Sequence, residues 1–259
     1  MKEYNVGLLM SGGGTRGFAH LGVCEALSEI GIKPDLIAGV SAGSIVGAFI
    51  ADGKTPTQAF KLLTSKSLFD FVKMGFPRRG FARMEVFENM LRRELQAKNI
   101  EDLSLPLMIF ATNLNKAELD LFETGDLVDA IIASSSIPVL FEPRKIKGQM
   151  YLDGGLVNTF PAEIIRSHCR TLIGVNLHPL TFEVNFTNLK SIAERCFHIL
   201  MRNNAANKMD ICDYYIEPQE LDKVSILNSS QAKEIFDYGY KEALKVLKVN
   251  NKSKVKGKD

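Results

Sequence analysis

Between residues 4 and 53 the apolar positions change rhythm from strand to helix twice. The run YNVGLLM (4–10) is continuously apolar after its first two residues, includes β-branched Val6 and stops at glycines, which predicts a buried strand. In FAHLGVCEALSEIG (18–31) the apolar residues recur at helical spacing, and Gly31 stands where a helix C-cap belongs. PDLIAGV (34–40) predicts a second short strand, and AGSIVGAFIADG (42–53) a helix of small residues that can lie close against a sheet. Strand, helix, strand, helix in this order predicts a parallel α/β architecture.

Farther on, residues 56–100 carry mostly helical patterning around the irregular stretch LFDFVKMGFPRRGF (68–81). Strands are predicted at LPLMIFATNL (105–114), LDLFETG (119–125) and TLIGVNLH (171–178), and a short helix at LVDAIIASSSIP, ended by Pro138. QMYLDGGLVNTFP (149–161) predicts a strand running into a glycine turn. Helical periodicity returns over 187–209 and 230–249, followed by a lysine-rich frayed tail over 250–259. Neither a repeat nor a Gly/Ser/Pro linker divides the chain, so residues 1–249 are expected to form one domain.

Composition adds little beyond exclusions. The 259 residues are 46% apolar with a formal net charge of +2, ordinary for a globular protein, and supply no basic stripe for nucleic acid. The N-terminal apolar run is too short for a secretion signal, and no apolar stretch approaches the roughly 20 residues of a membrane span. A cytoplasmic protein that meets membranes only peripherally is expected, with the oligomeric state open. Cys24, Cys169, Cys196 and Cys212 lack any CxxC spacing, which predicts reduced, buried thiols and no metal site.

Chemistry enters with SGGGTRG (11–17), where Gly12-x-Gly14-x-x-Gly17 fits a dinucleotide-binding fingerprint between a strand and a helix. That reading requires an acidic residue at the end of the next strand, for a ribose hydroxyl. The nearby acid, Asp35, precedes that strand instead, and no Lys-Ser/Thr pair follows to make a P-loop. The other use of such a loop is an oxyanion cradle. Glycine amides approach a ligand without an intervening Cβ, and the helix that follows offers its positive end.

The end of the second strand carries GVSAG, with Gly39 and Gly43 flanking Ser41 between strand and helix, the context of a nucleophile elbow. A nucleophilic serine needs a base. His20 precedes the serine within the first helix, while His168 and His198 lie in helical stretches and read as packing or surface residues. His178, at a strand end, is the one histidine placed for a triad. Asp153 in YLDGG is the stronger candidate, because Gly154 and Gly155 let the chain turn sharply beside it. A carboxylate of ordinary pKa, about 3.9, becomes a useful base when positioned and partly desolvated.

Together SGGGTRGFAHLGV, GVSAGSIVGA, ASSSIPVLFEP and YLDGGLVNTFP resemble, in order and spacing, the patatin-like phospholipase family, in its bacterial branch similar to the neuropathy-target-esterase catalytic domain. The resemblance covers roughly residues 4–180. It implies a three-layer α/β/α fold with a mostly parallel sheet and a Ser-Asp dyad of Ser41 and Asp153. It also implies oxyanion amides from Gly12, Gly13 and Gly14 beside Thr15, Arg16 at the family's basic position before Gly17, and no metal or cofactor. The implied substrates are acyl esters of lipids, including phospholipids and lysophospholipids. Acyl transfer or thioester hydrolysis at the same site, and an inactive lipid-binding protein, are the alternatives. Asn113 stands where the family often has an acid. The phenylalanines and basic residues of 68–81 suggest a cap over an acyl pocket that also meets lipid.

Overall fold

The computed structural model describes residues 4–65, 84–138, 140–179, 189–205, 208–226 and 229–255. Its centre is an eight-stranded mixed sheet of β1 (Tyr4–Met10), β2 (Leu36–Val40), β3 (Leu107–Asn113), β4 (Glu118–Phe122), β5 (Arg144–Ile146), β6 (Gln149–Asp153), β7 (Cys169–Val175) and β8 (Tyr214–Ile216). The main path runs β5-β6-β3-β2-β1-β7-β8, with β4 paired to β3. The β3-β2-β1-β7-β8 portion is parallel throughout, whereas β4, β5 and β6 pair antiparallel. β5 and β8 are each three residues long, too short for a periodic signal.

Strand alternation sends neighbouring side chains to opposite faces, and both faces are covered. Leu8, Met10, Ile37, Leu107, Ile109, Ile173 and Val175 bury the first face under α1 (Phe18–Glu29), α2 (Ala42–Ala51), α3 (Pro56–Ser65), α4 (Glu85–Glu94), α5 (Leu127–Ser135) and α9 (Ala232–Val255). Leu9, Leu36, Ala38, Val40, Met108, Phe110 and Leu172 bury the second against Phe160, Ala205 and α7 (Ala162–Arg166). Ala205 closes α8 (Leu189–Ala205), and a one-turn helix, α6 (Gly155–Asn158), follows β6. The result is the expected three-layer α/β/α fold, with each fully buried Leu or Ile side chain contributing roughly 1.5–3 kcal/mol of apolar transfer.

Local stops agree with their residues. α1 ends before Gly31, which adopts φ +76° while its amide donates to the Ser28 carbonyl at 3.2 Å. α5 ends at Ser135, three residues before Pro138. α9 continues through Val255, into the stretch where the sequence pattern begins a tail. The segment 66–83, which holds the whole of the suggested cap, lies outside the described residues. Among those that are described, no helix is long and apolar enough to cross a membrane.

One feature of the sheet positions everything that follows. β2 pairs with β3 up to Val40↔Phe110, and β4 occupies the opposite edge of β3 along its whole upper half. β6 therefore takes the place on β3 that β2 vacates, beginning at Ala111↔Asp153. The two strands run toward each other and end head to head along one edge of β3, one at Ser41 and the other at Asp153.

Candidate active site

Ser41 is the single residue between β2 and α2, with φ 52° and ψ −118°, a conformation side-chain-bearing residues rarely adopt. Such strain costs on the order of 1–3 kcal/mol and persists only where the surroundings impose it. Here they do. A Cβ on Gly39 would stand 2.4 Å from the Gly43 backbone, and one on Gly43 2.2 Å from the Met10 carbonyl, so the bend closes only with glycine at both places. The Ser41 amide donates to Ser134 Oγ at 2.8 Å, and that hydroxyl donates to the Phe110 carbonyl at 2.7 Å. Ser134 thus ties the elbow to β3, a duty invisible in a run of three serines.

Asp153 is held as firmly. Its amide donates to the Ser136 carbonyl at 2.9 Å, and its carbonyl accepts the Thr112 hydroxyl at 2.9 Å. The side chain is 1% exposed. Oδ1 accepts the Gly155 amide at 2.8 Å, using the turn the paired glycines permit, while Oδ2 is buried with no bond inside ordinary hydrogen-bond geometry among the described residues. Burial pushes the carboxyl up to about 6, opposed first by the Ser41 hydroxyl and then by the Gly155 amide. Gly154 lies where a Cβ would be 2.5 Å from the Phe110 carbonyl, which keeps the turn pressed onto β3.

The glycine loop completes the arrangement. Gly12 lies against the nucleophile candidate: a Cβ there would be 3.4 Å from Ser41 Cβ. Among the described residues, the amides of Gly12, Gly13 and Gly14 have no acceptor. Ser11 sets their direction. Its hydroxyl donates to the Gly12 carbonyl at 2.9 Å and accepts the Leu177 amide at 3.0 Å. Because the Gly12 carbonyl and the Gly13 N–H share one planar peptide, pinning the first toward Ser11 turns the second away from it. His20 supports this hub from α1, its Nε2 lying 2.8 Å from the Ser11 carbonyl; burial drives its pKa down to about 4, so the ring is neutral.

Thr15 and Arg16 anchor the loop rather than face the serine. The Thr15 hydroxyl donates to the Ser225 carbonyl at 2.8 Å and its amide to the Ile226 carbonyl at 2.9 Å. Arg16 is fully buried, with Nε donating to Val224 O at 2.9 Å and Nη1 to Leu177 O at 3.0 Å. Gly17 passes so near the elbow that a Cβ would come within 2.8 Å of Ala42 Cβ.

Of the remaining candidates, His178 is buried, but no hydrogen bond among the described residues joins its ring to Ser41 or Asp153. His168 is half-buried beyond α7, and His198 lies on α8. Asn113 is buried, donating to Asp120 Oδ2 at 2.8 Å and accepting the Asn115 amide at 3.0 Å, so it organises the β3–β4 turn. The cysteines correct the sequence expectation in part. All four are free thiols and Cys24 and Cys169 are buried, but Cys196 is exposed on α8 and Cys212 only half-buried, because helical periodicity turns Cys196 outward.

An elbow serine at a strand end, a buried carboxylate beside it and a loop of open amides are thus gathered at one end of the sheet. The chain belongs to the patatin-like phospholipase family, which residues 8–166 match. It is 33% identical over 176 residues to an NTE family protein of Mycobacterium tuberculosis, covering 67% of this chain and 49% of that protein. It is 26% identical over 274 residues to human patatin-like phospholipase domain-containing protein 6, covering 91% of this chain and 20% of that one. The chain thus spans about half and a fifth of the length of these relatives. The crystal structure of VipD from Legionella pneumophila shares the fold at a TM-score of 0.64 and 17% identity, over 95% of this chain and 67% of VipD.

Proposed function

We propose that the protein is a serine acyl hydrolase that cleaves acyl esters of lipids, phospholipids or lysophospholipids, with Ser41 as nucleophile and Asp153 as base. The observation that carries this reading is the meeting of a strained elbow serine with a fully buried carboxyl whose pKa is about 6. At pH 7 such a carboxyl is roughly nine-tenths ionised yet far more basic than an exposed aspartate.

Asp153 draws the proton from Ser41 Oγ as the oxygen attacks the ester carbonyl. The carbonyl oxygen gains negative charge and is held by the open amides of Gly12–Gly14, at the positive end of the following helix. The intermediate collapses with the proton returning through Asp153 to the departing alcohol. Water, deprotonated by Asp153, then attacks the acyl-serine; as the acyl–oxygen bond breaks, Asp153 returns the proton to Ser41 Oγ and the fatty acid leaves. The site calls on no histidine.

Ser41→Ala and Asp153→Asn are each expected to abolish hydrolysis of a short nitrophenyl ester and of lipid extracts followed by mass spectrometry, with the fold intact by circular dichroism. Near-normal turnover in Asp153→Asn together with its loss in His178→Ala would overturn the dyad. Labelling of Ser41 by a fluorophosphonate separates an active hydrolase from an inactive lipid-binding protein, because the probe requires an activated serine.

A further inference from the structure

Beside the loop lies a hydroxyl that the two-residue mechanism leaves idle. Thr159, immediately after α6, is fully buried, and its Oγ1 has no hydrogen-bond partner among the described residues. A threonine at a helix end commonly bonds back to a carbonyl one turn earlier; this one does not. A side chain wanted only for packing would be valine, which has the same shape without the polar atom.

The orientation of the hydroxyl is informative. From the point where a Gly12 Cβ would stand, the nearest atoms are Thr159 Oγ1 at 3.0 Å, Ser41 Cβ at 3.4 Å and the Val40 carbonyl at 3.9 Å. The hydroxyl of Thr159 is therefore turned toward the loop's first glycine, and the same glycine lies against Ser41. Three neighbouring amides are likewise without acceptors. The Thr159 hydroxyl and the first glycine of a loop of open amides meet beside Ser41, and donors with no acceptor among the described residues define a place for an oxygen that arrives with the substrate.

We propose that Thr159 donates its hydroxyl proton to the ester carbonyl oxygen as that oxygen becomes an oxyanion, adding a side-chain donor to the amides of Gly12–Gly14. The assignment rests on the Ser41–Asp153 reading. No covalent bond to Thr159 forms or breaks; the hydroxyl only gains a hydrogen bond. The donor gains an acceptor when the ester binds and a stronger one when charge develops, so its removal affects kcat more than KM.

The test compares Thr159→Val and Thr159→Ser with wild type in nitrophenyl ester turnover, the rate of fluorophosphonate labelling at Ser41, and thermal unfolding. Thr159→Val is expected to lose on the order of 10²-fold in kcat, to label more slowly, and to unfold at an unchanged or higher temperature. Thr159→Ser should keep most of the activity. Wild-type kcat and labelling in Thr159→Val would overturn the proposal. Should Thr159→Val fail to fold, Thr159→Ala and Thr159→Ser form the decisive pair: slower turnover in Ala supports the donor, and equal rates overturn it. Wild-type protein that neither labels nor hydrolyses would instead defeat the hydrolase reading, a distinguishable outcome.

Discussion

At the scale of single residues, Asp153 has the most measurable character. Its folded pKa of about 6 lies above the unfolded value of 3.8, so the native state binds the proton more tightly. Ionisation consequently costs stability. The cost is fully present above about pH 6, shrinks as pH falls and is gone below pH 3.8. Two outcomes are expected. The rate kcat/KM should decline below about pH 6 with a slope of one proton, as the base is lost. Asp153→Asn should be more stable than wild type at pH 7, by up to roughly 3 kcal/mol, and no more stable near pH 4. A thermal-unfolding series across that range reads the second outcome; a gain independent of pH would contradict burial as its cause.

Among the elements, α1 and α9 make the tightest approach. A Cβ on Gly22 would stand 1.9 Å from the Phe236 carbonyl, and one on Gly239 2.1 Å from the Ala19 carbonyl, so the two backbones touch where each helix has a glycine. In an isolated helix, Gly→Ala stabilises by about 1 kcal/mol. Here the packing reverses that sign. Gly22→Ala is expected to lower the unfolding free energy, and with it the urea midpoint, by about 2 kcal/mol, an overpacking cost near the top of its range less the propensity gained. An unchanged or raised midpoint would show that the helices part freely. The helical spacing of FAHLGVCEALSEIG made α1 legible in the sequence, and Gly31 marked its end. Helical periodicity over 230–249 made its partner legible as a helix too, but not their pairing, because a glycine within a helix reads as a weak point until the opposing backbone is in place.

For the whole molecule, Arg16 joins the first tenth of the chain to two distant segments. Its guanidinium reaches the carbonyls of Leu177 and Val224, 161 and 208 residues away in sequence. Arg16→Met keeps apolar volume but leaves those carbonyls without their donor, at about 1–3 kcal/mol each. Lower thermal stability and slower fluorophosphonate labelling of Ser41 are expected together, because the glycine loop beside Ser41 is moored through this residue. Arg16→Lys should rescue only partly, since an ammonium lacks the planar fork that spans two acceptors. Wild-type stability and labelling in Arg16→Met would show that the loop holds its shape unaided.

What the sequence determined by itself is what short stretches of backbone demand locally. Gly39 and Gly43 around Ser41, the glycines of 12–14 and the Asp153-Gly154-Gly155 turn each meet a steric requirement satisfied within a few residues, so they stand out unaided. The alternation of strand and helix periods likewise announced a sheet with both faces covered. Tertiary structure alone decided the rest. β6 fills the edge of β3 that β2 leaves, which brings positions 41 and 153 end to end. Ser134 holds the elbow, Ser11 turns the loop's peptides, and Thr159 faces Gly12 with an unused hydroxyl. None of these has a local signature, because a serine or threonine side chain acquires its role from the group opposite it, and that group is chosen by the packing of the whole chain.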